Sequence, residues 1–234
     1  MARITLTDFE ARYRADPDPW GYLTSDYERD KYEATLAACE WIKANYPGGA
    51  DYALTGAIDT DKKHSQINML LTRGKRVVAE AVIKNDVLRR LMGVDTESVY
   101  DYRQVHMVGG FLAGSASNSA HAANGLTAIF IATGQDVANI SESHAAITYG
   151  RLLDNGDYYW SITLTSLIVG TYGGGTALPT QRECLELLGC YGQGKARKLA
   201  EICAATVLAG EISLTSAVLS GHWVTSHERL GRNR

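Results

Sequence analysis

Four cysteines in 234 residues are few, and their spacing excludes more than their number. Cys39, Cys184, Cys190 and Cys203 form no C-x-x-C pair, and no histidine stands at zinc-ligand spacing from any of them, so neither a disulfide framework nor a metal site is expected. Cys39, Cys184 and Cys203 fall inside helix-like apolar patterns and read as small core residues. Charge of one sign is equally scarce. The 23 Lys and Arg nearly balance 26 Asp and Glu, leaving a formal net charge of −3, which gives a nucleic acid or an anionic membrane nothing to attract. The apolar stretch 126–132, interrupted only by Thr127, falls far short of the ~20 residues that cross a bilayer, and residues 1–7 carry no apolar core of a signal peptide. The expectation is a soluble cytoplasmic protein without nucleic-acid or membrane partners. With compact domains usually holding ~100–200 residues, the length suits one domain, or one and part of another.

Glycine is plentiful by comparison, 23 residues, with clusters at 109–110, at 170 and at 173–175 that suggest backbone approaching a ligand or another element closely. Residues 1–23 are polar and aromatic, and Pro17, Pro19 and Gly21 make an irregular arm the expectation. Tyr32, Leu36, Cys39 and Ile42 recur at helical spacing and predict an amphipathic helix over 25–46, stopped by Pro47-Gly48-Gly49. A short strand over 52–58, a polar loop over 59–65, a strand over 76–83 and a short helix over 85–92 follow. The small-residue tract 113–123 leads into a helix over 124–133. Residues 158–165 alternate, with Tyr158, Trp160, Ile162 and Leu164 on one side, as in a half-buried strand. Thr180 and Glu183 are spaced as a capping box ahead of a helix over 184–189, with Pro179 in the preceding turn. The longest helical pattern covers 195–219, with Leu199, Ile202, Cys203 and Thr206 on one face.

Several segments carry chemistry-bearing groups. Thr60-Asp61-Lys62-Lys63 sets two ammonium groups beside a carboxylate. By itself such a loop is more often a solvated turn than an anion or oxyanion clamp, although a lysine held away from water can stabilise charge on a carbonyl oxygen. Asp136 follows an apolar helix, where the macrodipole disfavours an unpaired carboxylate, and beside a lysine it would be ionised and could orient that lysine. Gly173-Gly174-Gly175-Thr176 is a tight turn or a phosphate-facing set of backbone N–H groups, and it matches neither common glycine-rich phosphate motif. His121 reads as a structural residue hydrogen-bonded in the core. His222 and His227 lie near the C-terminus, where a histidine on a mobile tail can close over a substrate as a general acid. His64, His106 and His144 show no supporting constellation.

The order of these segments resembles one family. T-D-K-K at 60–63, I-N at 67–68, R-G-K-R-V-V-A-E-A-V-I at 73–83, A-H-A-A-N at 120–124, T-A-I-F-I-A-T-G-Q-D at 127–136, G-T-Y-G-G-G-T at 170–176 and A-G-E-I-S-L at 209–214 are similar to 3-hydroxy-3-methylglutaryl-CoA (HMG-CoA) reductase, in the D-K-K form of its NADPH-using class. The resemblance runs from about residue 40 to the end. It implies an α+β fold: part of the large, substrate-binding domain, with only a remnant of the small ferredoxin-like nucleotide domain. It also implies a four-electron reduction of a thioester to mevalonate with NADPH, in isoprenoid precursor synthesis. The catalytic lysine falls on Lys62, the aspartate that tunes it on Asp136, and the histidine that protonates the departing CoA thiolate on His227. Lys63 and Asn124 fall on substrate-contacting positions, and Gly134, Gln135, Gly173 and Gly174 on segments lining the nucleotide pocket. The implied partners are HMG-CoA and CoA, together with a second copy of the chain or a full-length reductase, because the family's sites form between two subunits.

The departures are as specific as the matches. The family's E-N-V-I-G-like motif, with its catalytic glutamate, and its D-A-M-G-M-N nucleotide motif are absent. A substrate-binding lysine aligns with Val105, with Arg103 nearby as a substitute, and substrate-side positions ahead of D-K-K hold Thr55 and Ala57. The expectation is therefore the rear half of a catalytic domain, over 40–234. Its leader, 1–39, resembles the opening of nodulation-type S-adenosylmethionine methyltransferases at D-P-W-G-Y (18–22) and S-D-Y-E-R-D-K-Y (25–32), without the glycine-rich cofactor loop that should follow. The junction is placed near Cys39–Glu40. Three readings result: a reductase-like enzyme, a catalytically silent binding or dimerisation module, and a fusion remnant too depleted of core to fold.

Overall fold

The computed structural model describes residues 26–46 and 59–230. The expected arm over 1–23 and strand over 52–58, with Thr55 and Ala57, lie outside the described residues. The chain divides into two units, Met1–Ile58 and Asp59–Arg234.

In the first unit, helix α1 (Asp26–Asn45) forms where the periodicity predicts a helix, but of the expected apolar face only Cys39 is buried while Tyr32, Leu36 and Ile42 are exposed. The helix runs unbroken through Cys39 and Glu40, where the junction was expected. The i,i+3 pairs Asp26–Arg29 (2.5 Å) and Glu40–Lys43 (3.3 Å) brace its exposed surface, and Lys43 in the last turn suits the negative end of the helix dipole.

The second unit is α+β, as expected. In order it contains α2 (Gln66–Leu71), β1 (Lys75–Ile83), α3 (Asn85–Val87) running into a π turn (Leu88–Met92), α4 (Thr96–Leu112) and α5 (Ala122–Thr133). A 3₁₀ turn (Val137–Asn139), α6 (Ile140–Ser143), β2 (Ala146–Leu152), β3 (Tyr158–Leu167), a second 3₁₀ turn (Gly174–Ala177), α7 (Pro179–Leu187), α8 (Ala196–Leu219) and α9 (His222–Arg229) follow. The antiparallel sheet has the order β1-β3-β2, with Ile83 and Leu152 both opposite Tyr158.

Because β3 is central, more of it is buried than its alternating pattern suggested. Tyr158, Trp160, Ile162 and Leu164 face the core, but Thr165 and Ser166 are buried too. Their hydroxyls find partners, Thr165 at the carbonyl of Ala145 (2.9 Å) and Ser166 at the Glu142 carboxylate (3.5 Å), as burial of polar groups demands. Helix α8 packs on β1, β3 and α5. Leu199, Cys203 and Val207 from α8 share the core with Leu126 and Phe130 of α5, each large aliphatic or aromatic side chain contributing roughly 1.5–3 kcal/mol. Among the described residues α8 is the one helix long and apolar enough to cross a membrane. It carries the buried Glu211 and supplies one wall of the core.

Three expectations need correction. Helix α7 starts at Pro179 with Leu178 as an N-cap lacking any side-chain bond, so Thr180 and Glu183 lie inside the helix and form no capping box. Proline at the first helical position has its φ pre-set and no N–H to satisfy, which moves the start ahead of Thr180. His121 is held by packing: the Nδ1 of its ring has no hydrogen-bond partner, and a Cβ on Gly125 or Gly210 would stand 2.6 or 2.0 Å from that ring. The residues after Gly221 form α9 rather than a tail. Helices α2 and α4 and strand β2 add to the predicted elements. For α4 the start signal is Asp95, whose side chain accepts the Ser98 N–H (2.8 Å).

Candidate active site

The D-K-K loop is built by its own polar groups before it meets the rest of the fold. Asp59 accepts the N–H of Asp61 (2.9 Å), and the buried Asn68 on α2 donates to the carbonyls of Thr60 and Lys63 (2.8 Å each). The I-N motif thus buckles the loop onto α2, whose N-cap Ser65 accepts the N–H of Asn68 (3.2 Å). Inside this turn Lys62 adopts φ 56°, a left-handed conformation that costs a non-glycine residue on the order of 1–2 kcal/mol. Its backbone N–H donates to Glu142 (2.9 Å), and its carbonyl accepts the hydroxyl of Ser141.

From this fixed backbone the Lys62 ammonium reaches Asp136, 2.8 Å away. Asp136 caps the 3₁₀ turn after α5, its other oxygen accepting the N–H of Ala138 (3.0 Å), so the carboxylate is oriented at both ends. The hydrogen bond and charge of Asp136 hold the Lys62 ammonium above the ordinary lysine range, and Lys62 in turn holds the Asp136 carboxyl below the usual carboxylate range. Both side chains remain accessible, 43% and 49% exposed.

Behind the pair lies an element that the sequence reading missed. The side chain of Glu142 is 0% exposed and receives the Arg73 guanidinium through Nε (3.1 and 3.0 Å) and Nη2 (2.6 Å). Arg73 also pairs with Asp61 and reaches Asn139 Oδ1 (3.4 Å), and the hydrogen bond to Glu142 raises its pKa further. His64 and His144 stack edge to face at 5.3 Å, the constellation that neither showed in sequence, and burial pushes His64 down, helped by the His144 charge. Neither contact had a local signal, since the partners lie 69 and 80 positions apart.

The other expected residues are distributed around this centre. Lys63 turns back on its own loop, 3.4 Å from Asp59 and 3.1 Å from the carbonyl of Asp61. Asn124 is exposed in the first turn of α5. Gly134 ends α5 in a left-handed conformation (φ 69°) and lies against Gly175, where a Cβ would meet the Gly175 carbonyl oxygen at 2.2 Å. Gln135 grips the backbone of Gly170 on both sides, at 2.9 Å through Nε2 and 2.8 Å through Oε1. Gly173 and Gly174 are exposed at φ 80° and 54°, with open space where a Cβ would point. The expected glycine cluster thus divides: Gly175 serves close packing, and Gly173–Gly174 present bare backbone. His227 packs its ring on Trp223 (4.3 Å) and bonds that residue's carbonyl through Nδ1 (2.6 Å), so its bonds share no partner with Lys62. Arg103 does not substitute for the missing lysine. It is 3% exposed and faces Glu211 and the Trp160 ring, whereas the aligned Val105 points outward.

A cation paired with a carboxylate on a loop braced from behind is an arrangement able to stabilise developing negative charge. The chain belongs to the hydroxymethylglutaryl-coenzyme A reductase family, whose model matches residues 32–232. It is 48% identical over 201 residues to the 3-hydroxy-3-methylglutaryl-coenzyme A reductase of Aeropyrum pernix, covering 83% of this chain and 48% of that protein. Identity to the Methanocaldococcus jannaschii reductase is 40% over 204 residues (85% and 50%), and to reductase 2 of Dictyostelium discoideum 43% over 204 (83% and 39%). The chain thus spans about half the length or less of these curated relatives.

Proposed function

We propose that the chain supplies the substrate side of an NADPH-dependent HMG-CoA reductase, which converts HMG-CoA to mevalonate and CoA in isoprenoid precursor synthesis. The observation that carries this reading is the 2.8 Å pair between Lys62 and Asp136 on a preset loop. Lys62 donates to the thioester carbonyl oxygen, and its charge stabilises the oxyanion formed when a hydride reaches that carbon. Asp136 keeps the ammonium protonated and aimed. As the C–S bond breaks, the electron pair leaves with sulfur, and His227 protonates the CoA thiolate. Reduction of the resulting aldehyde repeats the charge problem at the same oxygen, and Lys62 meets it again. Lys63 and Asn124 bind substrate. The domain boundary near residue 40, the large-domain architecture and the cytoplasmic location belong to the same reading.

Two equivalents of a nicotinamide cofactor would supply the two hydrides, one for the thioester and one for the aldehyde. The residues on hand fit its phosphate side: Gly173 and Gly174 offer exposed backbone where any side chain would fill the open space, and Gly134 and Gln135 fix that loop through Gly175 and Gly170. A catalytically silent binding module is the second reading. It draws support from the exposed α4 face of Val105, Val108, Phe111 and Leu112, which suits a second copy or a full-length reductase.

Calorimetric titration of the purified chain with HMG-CoA tests the first reading. Saturable binding is expected, and Lys62→Ala should weaken it about tenfold or more, the loss of a charge-assisted hydrogen bond worth roughly 1.5–3 kcal/mol. No binding, or equal affinity for the variant, would refute it.

A further inference from the structure

We propose that Glu142, anchored by Arg73, is the positioning residue that sets the direction of the Lys62 ammonium by gripping the Lys62 backbone. The inference rests on the reading of Lys62 and Asp136 as a working pair and assigns that pair a support.

A left-handed residue outside glycine persists only where its surroundings over-determine it. At Lys62 both peptide groups are used: the N–H by Glu142 (2.9 Å) and the C=O by Ser141, adjacent residues within a single short helix. Turning Lys62 to an ordinary φ would swing its Cα–Cβ bond to a new direction and carry Nζ away from Asp136. Glu142 can hold this post because its carboxylate is fixed in turn. Arg73 binds it through two nitrogens, and Ser166 lies 3.5 Å from Oε2. Arg73 also pairs with Asp61, the neighbour of Lys62, so one guanidinium ties the loop to its brace. Glu142 makes no bond to the Lys62 ammonium and acts on the backbone of that residue, while the Arg73 charge is a minor opposing influence on the ammonium. Glu142 and Asp136 sit six positions apart, so the segment 136–142 holds Lys62 at both its backbone and its tip.

The test reads the amine of Lys62 directly and needs no turnover. The full chain is exposed briefly to an acetylating N-hydroxysuccinimide ester at mildly alkaline pH, and acetylation of Lys62 relative to Lys198 on α8 is followed by peptide mass spectrometry. Only the neutral amine reacts, so an ammonium held by Asp136 is slow. Asp136→Asn gives the rate of the released amine. Glu142→Ala and Ser141→Ala should each raise the Lys62 rate about twofold or more and leave Lys198 unchanged. Glu142→Gln, which keeps an oxygen for the Lys62 N–H, should fall between the wild type and Glu142→Ala. A rise at every lysine would mark loss of the fold in Glu142→Ala, and Ser141→Ala with Glu142→Gln then decide. If Asp136→Asn accelerates Lys62 while Ser141→Ala and the Glu142 variants do not, the positioning role is overturned and the Lys62–Asp136 pair stands. If Asp136→Asn leaves the rate unchanged, the pair itself is refuted and the positioning role with it.

Discussion

Gly134 and Gly173 are both positive-φ glycines of the proposed nucleotide side, at φ 69° and 80°, yet the structure gives them different tasks. An alanine incurs a backbone cost of roughly 1–2 kcal/mol at Gly134, in the left-handed helical region, and about 1–3 kcal/mol at Gly173, in the extended positive-φ region that is essentially reserved for glycine. At Gly134 the new Cβ also meets the Gly175 carbonyl oxygen at 2.2 Å, the carbonyl carbon at 2.4 Å and the Thr176 nitrogen at 2.9 Å. These are backbone atoms and cannot rotate aside, so α5 and the glycine loop must separate, an overpacking cost typically of about 1–3 kcal/mol. At Gly173 no heavy atom lies within 4 Å of that Cβ. Gly134→Ala is therefore expected to lose about 2–5 kcal/mol and Gly173→Ala about 1–3 kcal/mol. Urea unfolding followed by circular dichroism measures both, with the slope of the transition checking that each variant unfolds like the parent. A loss at Gly134→Ala no greater than the backbone cost alone, about 2 kcal/mol, would show that the close approach to Gly175 adds nothing, and the argument from close approach would fail.

Other outcomes follow from the same geometry. Lys62 depresses the Asp136 pKa, so the stabilisation from that shift is present above the ordinary carboxylate value of about 4 and is lost as pH falls through the lower folded value. The stability gap between the wild type and Asp136→Asn should accordingly shrink on acidification and in high salt, since both groups are half exposed; a gap independent of pH would contradict the pairing. Burial pushes the Cys203 thiol up to about 12, so a thiol reagent at neutral pH should spare Cys203 until the chain unfolds, and rapid labelling of the folded protein would place it elsewhere. Arg103→Met removes the cation 3.8 Å from the fully buried Glu211 and should cost about 3–5 kcal/mol in the same unfolding assay, whereas a neutral result would mean that the pair is solvated. The chain alone should show little or no HMG-CoA-dependent NADPH oxidation, because the E-N-V-I-G-like glutamate motif is absent; turnover equal to that of an intact reductase would remove the need for it.

What the sequence disclosed here depended on whether a residue's partner lay near it along the chain. Helices α1, α5 and α8 and strands β1 and β3 were legible because periodicity is local, and Lys62 and Asp136 were legible because their motifs are short. The burial of both faces at one end of β3 was not, since it depends on β1 and β2 flanking it, and β2 is short with exposed Ile147 and Tyr149. The start of α7 was misread because two local rules competed, a capping box at Thr180 and a proline at the first helical position, and proline prevailed through its preset φ. Arg73 and Glu142 gave no local signal at all. Arg73 stands in a basic run that reads as strand edge, and Glu142 is one carboxylate in a four-residue helix. Only the fold reveals that Glu142 is fully buried and must have a cation, that Arg73 is that cation, and that the carboxylate's remaining bonds go to the Ser166 hydroxyl and to the backbone N–H whose position decides where Lys62 points. Motif matching therefore finds the groups proposed to meet substrate, while the groups that aim them are found by asking which buried charges are satisfied and by what.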